Sequence, residues 1–314
     1  MSRVAAVDLG TNSTRLLVAD VDGDRLDEVT RRLTITRLGE GVDRRRRLLP
    51  VPIARVRNCL SEYRQELEAL GAERTLCIAT SSVRDADNGE AFLGEIEWSY
   101  GFTTRLLSGT EEAAMMIRGL TAGRPPLDHV LVVDLGGGST ELVVAADGEV
   151  ASATSLDIGC VRITERFLGS DPPSRPELAG ASGYVRSLLP PLEAAGAIGV
   201  AGTVTTLATI DLGDAEYDPA RTHGHRLSLA SVGERLDQLA GMTTEQRMVD
   251  FGIEPGRASV IVAGVIVLRE VMNAYGLSEI EVSERDVLHG AAFAAAELPE
   301  PEEGTAPPGA YTCC

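Results

Sequence analysis

An aspartate followed by a turn of small residues and then a Ser-Thr pair occurs twice in this chain. Asp8-Leu9-Gly10-Thr11-Asn12-Ser13-Thr14-Arg15-Leu16-Leu17-Val18 aligns without gaps on Asp134-Leu135-Gly136-Gly137-Gly138-Ser139-Thr140-Glu141-Leu142-Val143-Val144, with seven of eleven positions identical at an offset of 126. Successive glycines expose backbone N–H groups with no Cβ in the way. Gly136, Gly137, Gly138 and Ser139 therefore suit a nest for an anion such as phosphate, with Asn12 and Ser13 in the same role in the first copy. One copy alone would read as a tight hairpin; two favour a ligand. Asp8 and Asp134 each end an apolar run, where a carboxylate needs a partner. A divalent cation supplies one, and Mg²⁺ commonly takes one or two carboxylates with phosphate oxygens completing its shell. An Asx turn is the other reading.

Several other residues have suitable chemistry. Arg84 follows an apolar strand ending at Ala79, at the edge where open α/β sheets place ligand contacts, and its fork can hold two phosphate oxygens. An ion pair with Asp85 or Asp87 competes. Ser108 and Glu111 have capping-box spacing, which gives Glu111 a structural task and leaves Glu112 free. Gly202-Thr203 follows a strand and opens a helix whose N-terminal amides could bind an anion, with capping by Thr203 as the alternative. Arg44 to Arg47 could gather a long anionic chain, but a solvated turn is the preferred reading. His223 and His225 lack a third ligand at metal spacing and read as loop residues.

The elements that position these groups follow from periodicity. In each half, apolar runs alternate with turn signals, including Asp22-Gly23 and Asp147-Gly148, which predicts a three-stranded meander. Ile53, Val56, Leu60, Tyr63, Leu67 and Leu70 then recur at helical spacing up to Gly71. A strand at 75–79, a helix at 89–98 and a strand at 103–107 complete the first half. The second half repeats the theme with a helix over 175–195, a strand at 198–201, several helices and a strand at 279–283. Meander plus β-α-β in each half predicts two similar α/β domains facing each other across a cleft.

Composition removes other chemistries. All 29 basic residues are arginine, so mechanisms that need a lysine amine are excluded. Residues 1–124 hold 18 Arg against 19 acids, and residues 125–314 hold 11 against 28, giving −17 of the net −18. Nonspecific nucleic-acid binding is not expected. No apolar run approaches the ~20 residues of a membrane span, and the five cysteines form no C-x-x-C pair, so a cytoplasmic protein is expected with Cys59, Cys77 and Cys160 as buried hydrophobes. The Pro-, Gly- and acid-rich stretch 298–314 reads as a disordered tail.

Five ordered blocks carry a family resemblance: Ala6 to Ser13, Ala79 to Ala86, Ser108 to Ala113, Asp134 to Glu141, and Gly159-Cys160-Val161-Arg162. Over about residues 4 to 295 the chain resembles the exopolyphosphatase/guanosine pentaphosphate phosphatase (Ppx/GppA) family of the actin-like ATPase superfamily. The resemblance implies two actin-like (ribonuclease H-like) domains, 1–124 and 125–297, with the last helix, about 286–297, crossing back to the first. It implies Glu112 as the general base on the attacking water and Glu141 as a catalytic acid near the metal. Mg²⁺ would then lie near Asp8, Asp134 and Glu141, and phosphates on Asn12, Ser13, Arg84, residues 136–139, Gly202 and Thr203. The expected activity is removal of terminal phosphate from inorganic polyphosphate, with guanosine pentaphosphate as the near rival. No residues beyond about 297 suggest the helical domain of longer relatives, which favours shorter chains. A non-catalytic nucleotide sensor is the rival of another class, and a sugar or acetate kinase is disfavoured by the Glu112 block. Self-association as a homodimer is left open.

Overall fold

The computed structural model describes residues 1–214 and 216–299. The chain forms two compact units, Met1–Pro125 together with the chain from Asp286, and Pro126–Arg285. Residues 300–314, where most of the expected tail falls, lie outside the described residues.

The first unit opens with the expected meander: β1 (Ser2–Leu9), β2 (Ser13–Asp22) and β3 (Arg25–Ile35). A one-turn helix α1 (Val42–Arg45) leads to α2 (Pro50–Leu70), which starts with proline in its first turn, where no N–H partner is lost. It stops at Gly71, whose φ of 70° lets the chain turn back in a left-handed cap. Val56, Leu60, Tyr63 and Leu67 make its buried face. Then come β4 (Arg74–Ala79), α3 (Ser81–Arg84), α4 (Gly89–Tyr100), β5 (Thr103–Leu106) and α5 (Gly109–Thr121). The sheet order is β3-β2-β1-β4-β5, with β1 antiparallel to β2 and parallel to β4.

The second unit repeats this plan. Its meander is β6 (Val130–Leu135), β7 (Thr140–Ala146) and β8 (Glu149–Leu156), followed by α6 (Cys160–Phe167) and α7 (Arg175–Leu188). α7 ends seven residues before the predicted limit, because Pro190 and Pro191 remove helical conformation from the residues before them. Next are β9 (Gly196–Val200), α8 (Gly202–Leu212), α9 (Pro219–Thr222), β10 (Arg226–Ser228) and α10 (Leu229–Ala240). α11 (Thr244–Phe251), α12 (Pro255–Ala258), α13 (Ile261–Ala274) and β11 (Glu279–Val282) complete it. The order β10-β11-β9-β6-β7-β8 matches the first sheet apart from one added edge strand. This is the actin-like arrangement in both units. The likeness extends to irregularities: each meander has a register shift at the same repeat position, between Val18 and Ala19 and between Val144 and Ala145. The Asp147-Gly148 turn has both φ angles positive, as a two-residue hairpin of that twist requires.

The last helix, α14 (Val287–Ala296), packs on β1, β2 and α5 of the first unit. Strand alternation explains the two faces of β1. Ala5, Val7 and Leu9 join the core under α2 and α4, and the opposite set, Val4, Ala6 and Asp8, belongs to the other face. The approach of α14 to α5 depends on glycine. A Cβ on Gly290 would stand 1.8 Å from the Met115 carbonyl oxygen, and one on Gly119 would stand 2.2 Å from that of Asp286.

Gly290→Ala is accordingly expected to cost about 3 kcal/mol through overpacking against backbone that cannot yield. Gly94→Ala, on an exposed position of α4 with nothing within 4 Å, should be neutral or stabilising by up to about 1 kcal/mol. Urea denaturation of both variants checks the pair of signs.

Candidate active site

In the first unit the candidate residues gather at the carboxyl edge of β1 and β4. Asp8 is only 4% exposed and lies directly opposite Arg15 in the β1–β2 register. Arg15 gives Nε and Nη2 to Asp8 Oδ2 at 2.9 and 2.7 Å, and Nη1 to Asp286 Oδ2. Asp286 also caps α14, accepting from the Leu288 N–H at 2.9 Å. His289, one turn in, accepts the Asp286 N–H on Nδ1 at 3.3 Å and meets Glu28 through Nε2 at 2.9 Å. Burial pushes the Asp8 carboxyl up despite Arg15. Burial also disfavours charge on Asp286, but Arg15 and His289 outweigh it and hold that carboxyl well below the usual range. Burial depresses His289, and its two carboxylate neighbours more than restore it, so its pKa is raised.

The expectation of Asp8 as a metal ligand is thereby narrowed, because one of its oxygens already has an arginine. Oδ1 is buried and makes no hydrogen bond. Two further buried polar atoms without a partner belong to the same edge, Asn12 Oδ1 and Ser82 Oγ. Thr11 and Ser81, each one residue before one of these, bond to each other at 3.1 Å. Buried polar groups gathered at one sheet edge suit a polar ligand.

Glu112 and Arg84 come together there. Glu112 is 5% exposed in the first turn of α5, where the helix favours negative charge. Its Oε2 stands 3.6 Å from Arg84 Nη1, which donates to the Leu107 carbonyl at 2.7 Å. Asp85 pairs instead with Arg46, at 3.8 Å. The capping box forms as expected: the Ser108 N–H and hydroxyl both donate to Glu111, which lowers the Glu111 pKa.

In the second unit the same hairpin carries a different pair. Asp134 lies directly opposite Glu141, and Glu141 lies directly opposite Ser155 on the next strand, so all three project from one face. Both acids are buried, at 7% and 2% exposure, and Glu141 Oε1 accepts from Ser155 Oγ at 2.8 Å. The glycine turn is held from behind. The N–H groups of Cys160 and Val161, in the first turn of α6, donate to the Gly136 and Gly137 carbonyls at 3.0 and 2.8 Å. Arg162 Nε and the Gly159 N–H take the Gly138 carbonyl at 2.8 and 3.2 Å. Outside helices and strands, the Gly137, Gly138 and Ser139 N–H groups donate no backbone bond to any described residue. Gly159 is required for this packing, since its Cβ would lie 2.3 Å from Gly137.

The alternative reading of Thr203 as a helix cap does not hold. Thr203 does not cap α8; Ala201 does, at φ 70°, with no side-chain bond. The Thr203 side chain is buried against Gly264 of α13, and Arg257 lies on Gly202, donating to its carbonyl at 2.6 Å and to Thr206 Oγ1 at 3.0 Å. His225 bonds to Asp211 at 2.8 Å, so the histidine pair is structural. Cys59, Cys77 and Cys160 are buried free thiols, and burial pushes Cys160 up to about 11. Among the described residues no group of three or more His, Cys, Asp and Glu side chains is assembled as a metal site, and no helix is long and apolar enough to cross a membrane.

Sequence reasoning missed Asp286, Ser155 and Arg257. Asp286 is 271 residues from Arg15, and no local signal links them. Arg15 itself could have been placed, since the repeat sets it at the Glu141 position and an antiparallel register puts both opposite their aspartates.

Residues 17–297 match the Ppx/GppA phosphatase family. The chain is 41% identical over 321 residues to exopolyphosphatase 2 of Mycobacterium tuberculosis, covering 94% of this chain and 99% of that one. It is 31% identical to a guanosine-5'-triphosphate,3'-diphosphate pyrophosphatase of Vibrio vulnificus over 274 residues, 82% of this chain and 54% of the other. The crystal structure of the Aquifex aeolicus Ppx/GppA family member superposes with a TM-score of 0.78 at 29% identity, covering 95% and 99% of the two chains. Together with the paired Asp-Leu-Gly hairpins and the buried Glu112, these matches show that the chain belongs to the Ppx/GppA phosphatase family.

Proposed function

We propose that this protein is an exopolyphosphatase that hydrolyses the terminal phosphoanhydride of inorganic polyphosphate, with Glu112 as general base. The observation that carries the reading is the buried Glu112 carboxylate within 3.6 Å of Arg84, an acceptor for a water proton beside a cation for phosphoryl oxygens. Breaking a phosphoanhydride asks the protein mainly for positioning and charge: a water aligned with the leaving group, and cations or N–H groups on the oxygens that gather charge. Glu112 orients the water and takes its proton as the oxygen attacks. Arg84, held by the Leu107 carbonyl through one nitrogen, offers its remaining N–H groups to the transferred phosphoryl group. Within the first unit the polar groups of Asn12 and Ser13 suit phosphate oxygens, and within the second the N–H groups of Gly137, Gly138 and Ser139 do. The shortened chain leaves as the weaker base.

Asp134 and Glu141 fit a divalent cation. Two buried carboxylates directly opposite each other across an antiparallel pair bring hard oxygen donors together, and such donors suit Mg²⁺. Mg²⁺ there would supply positive charge for phosphoryl oxygens. Two protein carboxylates suffice, because substrate and water complete the usual coordination. Guanosine pentaphosphate would use the same parts, so the two substrates are compared directly on one preparation. The free thiols suit a cytoplasmic enzyme.

Glu112→Gln should lower kcat by about 10² to 10⁴, the usual worth of a general base, while polyphosphate binding stays the same or tightens, since Arg84 loses a competing carboxylate. Phosphate release and equilibrium binding on the same preparation test it; unchanged turnover would remove Glu112 from the role. Ser155→Ala, which takes the donor from Glu141, should weaken Mg²⁺ binding by about tenfold. Calorimetric titration with Mg²⁺ reads this without turnover, and unaltered affinity would place the cation elsewhere.

A further inference from the structure

On the exopolyphosphatase reading, we propose that Arg44 to Arg47 form a second anion site. It would hold the body of a long polyphosphate chain several phosphates away from the bond being cut. The run is fastened at both ends to the elements that carry the candidate active site of the first unit. On one side, the Arg37 N–H donates to the Asn12 carbonyl and the Gly39 N–H to the Thr11 carbonyl, both at 2.9 Å, so this loop is bolted to the turn of the first hairpin. A Cβ on Gly39 would lie 2.3 Å from Thr11 and 3.2 Å from Ser82, which leaves glycine as the fit. On the other side, the Asp87 N–H donates to the Arg46 carbonyl at 2.8 Å. Asn88 clamps both the N–H and the carbonyl of buried Leu48, at 2.8 and 3.1 Å. Asp87 is three residues beyond Arg84, so at most about 10 Å of chain separates the run's anchor from the proposed phosphoryl contact.

The four arginines are themselves exposed, although the backbone that carries them is fixed. α1 begins after Gly41 at φ 74° and closes at Arg46 at φ 51°, a single turn that presents consecutive guanidinium groups. Asp43, Asp85 and Asp87 lie among them, and Arg46 is 3.8 Å from Asp85. Arg45 and Arg47 have no ion pair to any described residue. Exposed guanidinium contacts are individually weak and screened by salt. Such a site therefore counts only for a ligand that meets several of them at once, which a long phosphate chain does and tripolyphosphate, filling the cleavage site, does not.

The test compares wild type with R45Q/R47Q and R45E/R47E, using tripolyphosphate and long-chain polyphosphate at low and high salt. With the long chain at low salt, KM should rise about tenfold for the glutamine pair and further for the glutamate pair, as expected for loss of local charge attraction. kcat should hold within about twofold, tripolyphosphate should be unaffected, and the differences should shrink at high salt. Equal changes for both substrates, or none for either, would overturn the proposal. If the wild type releases phosphate from neither substrate, the exopolyphosphatase reading fails. Long-chain polyphosphate binding to E112Q, with and without R45Q/R47Q, still decides the arginine site, with equal affinities rejecting it.

Discussion

A buried carboxylate at the end of a strand needs a partner, and the two hairpins of this protein set different residues opposite theirs. In the first, Asp8 faces Arg15 across the register. In the second, Asp134 faces Glu141 at the equivalent position. Removing an ion from water costs several kcal/mol even after relaxation, and the Arg15 guanidinium offsets part of that cost for Asp8. One copy of the repeat therefore sets a counter-charge opposite its aspartate, and the other sets a second acid there, the pair proposed to hold a divalent cation. The difference of a single residue makes the first hairpin a rigid, charge-paired corner.

The rigid corner is assembled from both ends of the described chain. Asp286 caps α14 and holds the far side of Arg15, and α14 reaches that place because Gly119 and Gly290 let two helix backbones touch. His289 then ties the first turn of α14 to Glu28 on β3. The guanidinium fork is fixed between two carboxylates, which fixes Asp8 and leaves Oδ1 as its one unsatisfied oxygen. Orientation of one oxygen thus depends on helix packing, a cap and an arginine in series.

Much of this was legible in the sequence. The repeat gave the two-unit plan because seven identities in eleven residues fix strand, turn and strand twice over, and the shared register shift shows how far the likeness runs. Gly71 marked the end of α2 because a left-handed cap favours glycine, and the Ser108–Glu111 spacing marked the start of α5. The misreadings have physical causes. Thr203 sits where a capping residue would, but its hydroxyl is spent on packing against Gly264, a contact set by α13 some sixty positions later. α7 was drawn too long because alanine and leucine near 192–195 suit a helix, and the prolines before them decide the matter locally. Asp286 and Ser155 were invisible for the same reason: their partners are chosen by tertiary register rather than by spacing.

Charge distribution poses the remaining question, since a chain of net charge −18 is proposed to act on a polyanion. Screening resolves it. At moderate salt a charge is felt over about 10 Å, so a substrate responds to the residues near its path rather than to the total. The first 124 residues, nearly neutral overall, supply Arg84 and the arginine run, and the acidic remainder supplies Asp134 and Glu141. Arginine suits the first task because its guanidinium stays charged beside a carboxylate such as Glu112 and can still grip two oxygens. Acid suits the second, on the proposed reading, because a cation bound there would be a local positive centre for phosphate. An acidic protein can thus offer an anion two kinds of positive charge, one encoded in the chain and one recruited by it.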